Sequence, residues 1–291
     1  MNLRTVAALW KQDVFEYFNR WNEDRPMRTG FPHASNILAP DHSFCMRQLV
    51  LAAHYPNECE RPPTKSWDVL TNARFKNGWK LHEKYQELFL KYGKVVYFND
   101  NLTTPELDYS HFDDTRLLWF SPDAILEVEG ERMIVEIKGY KSDLLFQFLE
   151  VLKQVLNLIK GHGIEALYHS VKELIQEFVS RRSSYASFES MDESGDPPTD
   201  AHKQVNLYLH LLELKHGLIL VENKNTQELK VWCVEYDKEM VQPYLDRIYQ
   251  FKGALLRAEN DRGLPARICS SARDRNAEKC LACSMCFKMK G

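Results

Sequence analysis

No stretch of this 291-residue chain approaches the roughly 20 consecutive apolar residues that a membrane-spanning helix needs. The first residues hold only a short apolar run, Val6–Trp10, followed at once by charge, so neither a secretory signal nor a transit peptide is expected, and no membrane partner. A glycine-rich phosphate loop of the Walker type is missing, as is any other helicase motif, which excludes a built-in nucleic-acid motor. Net charge is small, −3, and gives no global pull toward polyanions. Internal repeats are absent.

The charge that is present is unevenly spread. From Lys252 to the end there are nine Lys/Arg against four Asp/Glu, so the tail carries +5 and the remainder −8. A local basic surface suits a phosphate-bearing partner, and it is equally the pattern of a solvated helix face. Seven cysteines in a chain without a secretion signal point to a reducing cytoplasm, where clustered thiols signal metal or redox chemistry. Three of them form Cys280-x2-Cys283-x2-Cys286, with Cys269 upstream. Cys269, Cys280, Cys283 and Cys286 have the makings of a local four-thiolate zinc site; unligated thiols in a frayed tail are the plainer alternative. Cys59 and Cys233 read as structural, Cys233 as a small buried hydrophobe in an alternating strand.

Hydrophobic periodicity divides the rest of the chain. A helix is expected over Val6–Trp21, then a loop to Pro40, a second helix from about Asp41 to His54 carrying Cys45, and a loop over Pro56–Pro63. Thr71–Tyr92 has Phe75, Trp79, His82, Tyr85 and Phe89 at helical spacing. Strands are expected at Val95–Phe98, Leu117–Phe120, Ala124–Glu129 and Arg132–Lys138. Gly130-Glu131 fits a two-residue hairpin turn with Gly first, which pairs residue 125 with 136 and 123 with 138. Alternation then gives one apolar face, Ala124, Leu126, Val128, Met133, Val135 and Ile137. The other holds Asp123, Glu127, Glu129, Arg132, Glu136 and Lys138, with Ile125 and Ile134 among them, as a one-sided core demands. Helical patterning resumes from Asp143 to about Arg182, and Ser183–Asp200 reads as a flexible loop. A helix over Ala201–Lys215, a second hairpin from Leu218–Asn223 and Glu228–Tyr236, and a long helix over Lys238–Glu259 complete an α/β pattern.

Asp123, Glu136 and Lys138 therefore meet on one face at one end of a small sheet. Two carboxylates are hard oxygen ligands for Mg²⁺ or Mn²⁺. Such an ion orients a phosphodiester and offsets charge on the leaving oxygen, while a nearby lysine positions water or stabilises developing charge. Glu-x-Lys alternation is also the ordinary pattern of a solvated strand.

Asp123…Glu136-Ile137-Lys138 resembles the D…(D/E)-x-K signature of restriction-endonuclease-like nucleases, in particular the RecB-type branch that includes CRISPR-associated exonucleases and the nuclease domains of AddB-type helicase–nucleases. Gly78-Trp79-Lys80-Leu81-His82 is similar to the branch's upstream helix, whose His is a metal ligand. Gln204-Val205-Asn206-Leu207-Tyr208 is similar to its Q-x-x-x-Y helix, whose Gln and Tyr contact DNA near the scissile bond; four-residue spacing puts both on one helix face. In the iron–sulfur members a C-x-R segment supplies the first cluster ligand, which Cys45-Met46-Arg47 resembles, and the C-terminus supplies three more.

The resemblance implies a single nuclease domain over 1–291 with a restriction-endonuclease-like, RecB-type mixed sheet flanked by helices. Within it, 1–70 is an N-terminal helical part with Cys45, 71–140 and 201–260 form the catalytic core, 141–200 is a helical insertion, and 261–291 is a metal-cluster tail. It further implies that His82, Asp123, Glu136 and the Ile137 carbonyl hold Mg²⁺ or Mn²⁺, that Lys138 assists the attacking water, and that Gln204 and Tyr208 hold the strand. A [4Fe–4S] cluster on Cys45, Cys269, Cys280 and Cys286 is implied, with Cys283 the alternative ligand and Zn²⁺ the alternative metal. The activity expected is a DNA exonuclease acting on single-stranded ends, in the cytoplasm of a bacterium or phage-infected host. A recombination, replication or CRISPR-adaptation partner is compatible with it, as is a ring-shaped oligomer. The alternatives are a non-catalytic DNA-processing or adaptor subunit and a zinc-stabilised DNA-binding module. Three departures mark this chain: 65 residues separate Lys138 from Gln204, far more than the family has there, Ser121-Pro122 stands before Asp123 where the family often has Gly, and the tail lacks the usual C-x2-C-x5-C.

Overall fold

The computed structural model describes residues 30–60, 69–91, 111–140, 188–193, 195–259 and 263–288, besides Glu16 and His169. The helix expected over Val6–Trp21, the strand at Val95–Phe98, the helical patterning from Asp143 to about Arg182 and most of the insertion at 141–200 lie outside these residues. The described elements are α1 (Ala34–Ile37), α2 (Met46–His54), α3 (Val69–Lys91), β1 (His111–Asp113), β2 (Leu118–Phe120), β3 (Ala124–Val128), β4 (Glu131–Tyr140), α4 (Thr199–Leu211), β5 (His216–Asn223), β6 (Leu229–Glu235), α5 (Lys238–Glu259) and α6 (Cys283–Lys288). Strands β3-β4-β5-β6 form one mixed sheet, antiparallel except for the parallel β4–β5 pair, and β1 and β2 form a separate ribbon. A mixed sheet flanked by helices is the fold class expected from the sequence.

The first hairpin differs from expectation in its turn. The two turn residues are Glu129 and Gly130, both left-handed at φ 53° and 85°, which is the mirror-image turn that suits twisted strands and favours Gly second. Val128 therefore pairs with Glu131 and Ala124 with Val135. A slip of two residues leaves every side chain on its expected face. It also brings Asp123, one step before the first paired residue, opposite Glu136 instead of Lys138.

The sheet is covered on both faces, where the alternation suggested one. Beneath it, Leu81 and Tyr85 of α3 pack on Ala124, Leu126, Val135 and Ile137. Above it, Ile125, Ile134, Ile219 and Val221 join the main core with α4 and α5. Ile125 and Ile134 sit mid-strand on the otherwise charged face, and both are wholly buried. The polar residues of that face survive only at its ends. In β6, Trp232 and Val234 take the core-facing positions, so Cys233 is exposed rather than buried as expected. The loop expected at Ser183–Asp200 docks, over its described part, on the edge strand β6. Lys230 Nζ donates to the Phe188 carbonyl (2.9 Å), the Val231 N–H to Glu193 Oε1 (2.7 Å) and Trp232 Nε1 to the Asp192 carbonyl (3.3 Å). Covering an edge in this way removes a template for unwanted pairing.

Helices α1 and α2 contribute Ala34, Ile37, Leu49 and Val50 to the main core. The C-terminal segment returns to α2 and builds a smaller cluster in which Leu51, Ala52 and Cys59 meet Ala282, Met285 and Cys286. Cys59 is buried there, as a structural cysteine should be. Among the described residues no helix is long and apolar enough to cross a membrane.

Candidate active site

Helix α3 lies under the sheet with His82, Tyr85 and Gln86 on its inward face, the i, i+3, i+4 spacing that stacks side chains on one stripe. His82 Nδ1 sits 3.1 Å from Asp123 Oδ1. Gln86 Nε2 donates to the Asp123 carbonyl (2.8 Å), and the Ile137 N–H donates to Asp123 Oδ2 (2.7 Å). On β4, the Lys138 ammonium binds Glu136 Oε1 and donates to Gln204 Oε1 at 3.3 Å. Gln204 Nε2 in turn donates to Tyr208 Oη (3.1 Å), with both residues on the face of α4 turned to the sheet. The Ser121 backbone also hydrogen-bonds the phenol, whose ring lies 5.8 Å from that of Phe120. The structure thus brings together His82, Asp123, Glu136, Lys138, Gln204 and Tyr208, from α3, the β3 end, β4 and α4.

Burial governs the electrostatics. Glu136 is 1% exposed, and its Oε2 has no hydrogen-bond partner among the described residues. Burial first, and the Asp123 charge second, push its carboxyl up to about 7. For His82 burial opposes the charged ring, but the bond to Asp123 and the fields of Asp123 and Glu136 outweigh it, so its affinity for a proton rises. Lys138 follows the same balance: burial disfavours its charge, and Glu136 with Asp123 more than restores it. Burial, then Glu136, raises the Tyr208 hydroxyl, which stays protonated and able to donate.

A buried carboxylate oxygen with nothing to bind is costly unless a cation meets it. The donors around it, carboxylate oxygens and an imidazole, suit Mg²⁺ or Mn²⁺. No group of three His, Cys, Asp or Glu side chains among the described residues stands as a ready cage. The reason is visible in the pairing: Asp123 is engaged by His82 and the Ile137 N–H, and Glu136 by Lys138.

Sequence reasoning missed a second layer beneath these residues. Glu222, the residue of β5 paired with Gly139, is 6% exposed and binds the Tyr85 hydroxyl and the Lys84 ammonium of α3, the latter at 2.5 Å. Lys224, in the turn after β5, runs over β4: a Cβ added to Gly139 would lie 2.2 Å from Lys224 Cε and 2.8 Å from Leu81 Cδ2. Gly139 is the gap through which that stem passes. A signal for it was the bare glycine after Lys138, since a glycine inside a strand often marks close approach of another group.

The second candidate centre joins the two ends of the described chain. Cys45 caps α2, its thiol accepting from the Gln48 N–H, and Arg47, 1% exposed, donates to the Pro265 carbonyl (3.0 Å) at the start of the tail. Burial raises the Cys45 and Cys283 thiols and lifts Cys269 to about 11 and Cys280 to about 12. Further increments come from Cys286 acting on Cys45, and from Cys45, Cys283 and Cys286 acting on Cys269 and Cys280. All five candidate thiols therefore share one neighbourhood. Five soft sulfur donors suit zinc or iron, though no three of them form a ready cage; ligation requires them to draw together.

No family model and no curated protein matches the chain. Among solved structures, the chain is similar to SSO0001 (9% identity, 95% of each chain covered, TM-score 0.42). It is also similar to an alkaline exonuclease (LHK-Exo) from Laribacter hongkongensis (12% identity, 86% of this chain and 95% of that one, TM-score 0.41). The same exonuclease in complex with dAMP gives 13% identity over 85% and 98%, at a TM-score of 0.41.

Proposed function

We propose that the chain is a metal-dependent deoxyribonuclease of the RecB type that hydrolyses phosphodiesters at single-stranded DNA ends. The observation that carries this reading is Glu136: a carboxylate buried at the meeting point of His82, Asp123, Lys138, Gln204 and Tyr208, with one oxygen left for a cation. His82, Asp123, Glu136 and the Ile137 carbonyl would hold Mg²⁺ or Mn²⁺, which when bound polarises the phosphodiester and lowers the pKa of water. The chain's own groups do the rest. Glu136 holds the Lys138 ammonium at the sheet end, where it orients water and offsets charge developing on the phosphoryl oxygens. The Lys138–Gln204–Tyr208 relay fixes two donors, an amide and a protonated phenol, for the phosphate of the bound strand.

The same reading assigns four of the five thiols to a structural cluster, [4Fe–4S] on Cys45, Cys269, Cys280 and Cys286, with Cys283 the alternative ligand and Zn²⁺ the alternative metal; iron, sulfide and zinc analysis of anaerobically purified protein distinguishes the metals. A recombination, replication or CRISPR-adaptation partner would supply any unwinding.

Incubation of the purified protein with Mn²⁺ and end-labelled single-stranded DNA tests the activity. Shortening of the strands is expected, with a loss of at least about a hundredfold in Glu136→Ala, the scale of removing one preorganised electrostatic group. Intact strands with the native protein, and no difference in the variant, would leave the adaptor reading standing.

A further inference from the structure

Helix α3 carries His82, and its apolar contacts, Leu81 and Tyr85 on Ala124, Leu126, Val135 and Ile137, turn one face of it to the sheet. Apolar packing is non-directional, so the finer rotation within that facing falls to polar anchors. His82 and Gln86 both grip Asp123, through its carboxylate and its carbonyl. Lys84 and Tyr85 grip Glu222 on β5, about 10 Å across the sheet from the first anchor and about 10 Å further along it, since Glu222 pairs with Gly139 and Asp123 lies opposite Glu136. A helix held only at Asp123 can pivot there; a second anchor on the far side of β4 stops it.

Glu222 is a poor choice for stability alone. It is 6% exposed, and its ammonium partner is half in solvent. Buried ion pairs tend to contribute little net stability, because desolvation cancels the attraction. A neutral side chain of the same shape would fill the space at lower cost, whereas a carboxylate accepting from two consecutive residues of α3 fixes an angle.

We propose that Glu222 is a positioning residue that sets the rotation of α3 through Tyr85 and Lys84, and thereby the meeting of His82 with Asp123; its consequence for metal binding rests on the nuclease reading above.

Glu222→Gln and the milder Tyr85→Phe test this with three readouts on the full chain: thermal unfolding, calorimetric titration with Mn²⁺ alone, and the NMR signal of the His82 ring proton bonded to Asp123. Mn²⁺ affinity is expected to fall about tenfold in Glu222→Gln and less in Tyr85→Phe. The His82 signal is expected to shift in both, while the melting temperature falls only modestly, since Tyr85 keeps an amide acceptor and the half-exposed Lys84 ammonium returns to water. A lowered melting temperature with unchanged Mn²⁺ affinity and an unmoved His82 signal makes Glu222 a simple brace and overturns the proposal. Native protein that neither binds Mn²⁺ nor cuts DNA sinks the nuclease reading instead, and the His82 signal then decides the positioning role by itself.

Discussion

Glu136 sets the acid limit of the candidate site. In the metal-free fold its carboxyl holds a proton up to about 7, against an ordinary value of 4.5, so the folded state is the stronger proton binder between those limits. By linkage, the stability that this proton confers is fully present below 4.5 and is lost as pH rises through about 7. A divalent ion reverses the preference, because it needs the charged form. Mn²⁺ affinity should therefore drop as pH falls below about 7, by roughly tenfold per unit for this proton alone, and more steeply because His82 also gains proton affinity. Calorimetric titrations at pH 5.5, 6.5 and 7.5 check this, and a flat affinity would contradict a metal on Glu136. Asp123, Glu136 and Lys138 were legible in the sequence because strand alternation is a local rule: even the wrong turn left each on its proper face. Glu222, Tyr85 and Lys84 were not, since which helix lies under which strand depends on contacts between residues 137 or 138 positions apart.

At the level of elements, the pose of α4 depends on a glycine. A Cβ added to Gly217 of β5 would lie 2.4 Å from Val205 Cγ1, the residue next to Gln204. That closeness lets α4 settle on the β4–β5 pair and bring Gln204 to Lys138. Gly217→Ala should overpack this seam, costing about 1–3 kcal/mol, and should weaken DNA binding more than Mn²⁺ binding, since it displaces Gln204 and Tyr208 while sparing His82 and Asp123. Trimming the neighbour in Gly217→Ala/Val205→Ala should recover part of both losses, which urea unfolding and a DNA-binding titration measure. A variant as stable as the native protein would mean that α4 is free to shift. The 3.6-residue period revealed this helix and its Gln204–Tyr208 face, with an end in error by a few residues. What the period left open was which strand it packs on, because Ile125 and Ile134 looked like stray apolar residues on a charged face until α4 and α5 covered them.

Across the whole molecule, the tail and α2 close the chain on itself through Arg47 on Pro265 and through the cluster around Cys286. The C-x-R segment and the crowded tail cysteines were each visible in the sequence; their contact was inferred by resemblance, for no local pattern links residue 45 to residue 286. If the thiols hold a metal, its binding free energy is folding free energy, and it acts at this closure. Raised thiols sharpen the test. With Cys269 at about 11 and Cys280 at about 12, the unligated thiols hold their protons at neutral pH, so loading must release them and should strengthen as pH rises. Cys280→Ala should therefore lower the melting temperature of the metal-loaded protein by several degrees, and change that of the chelator-stripped protein little. Cys233→Ala, at an exposed position on β6, should match the native protein in both forms. Equal losses for Cys280→Ala with and without metal would assign that thiol to packing alone, and the two ends would then be held by Arg47 and the apolar contacts.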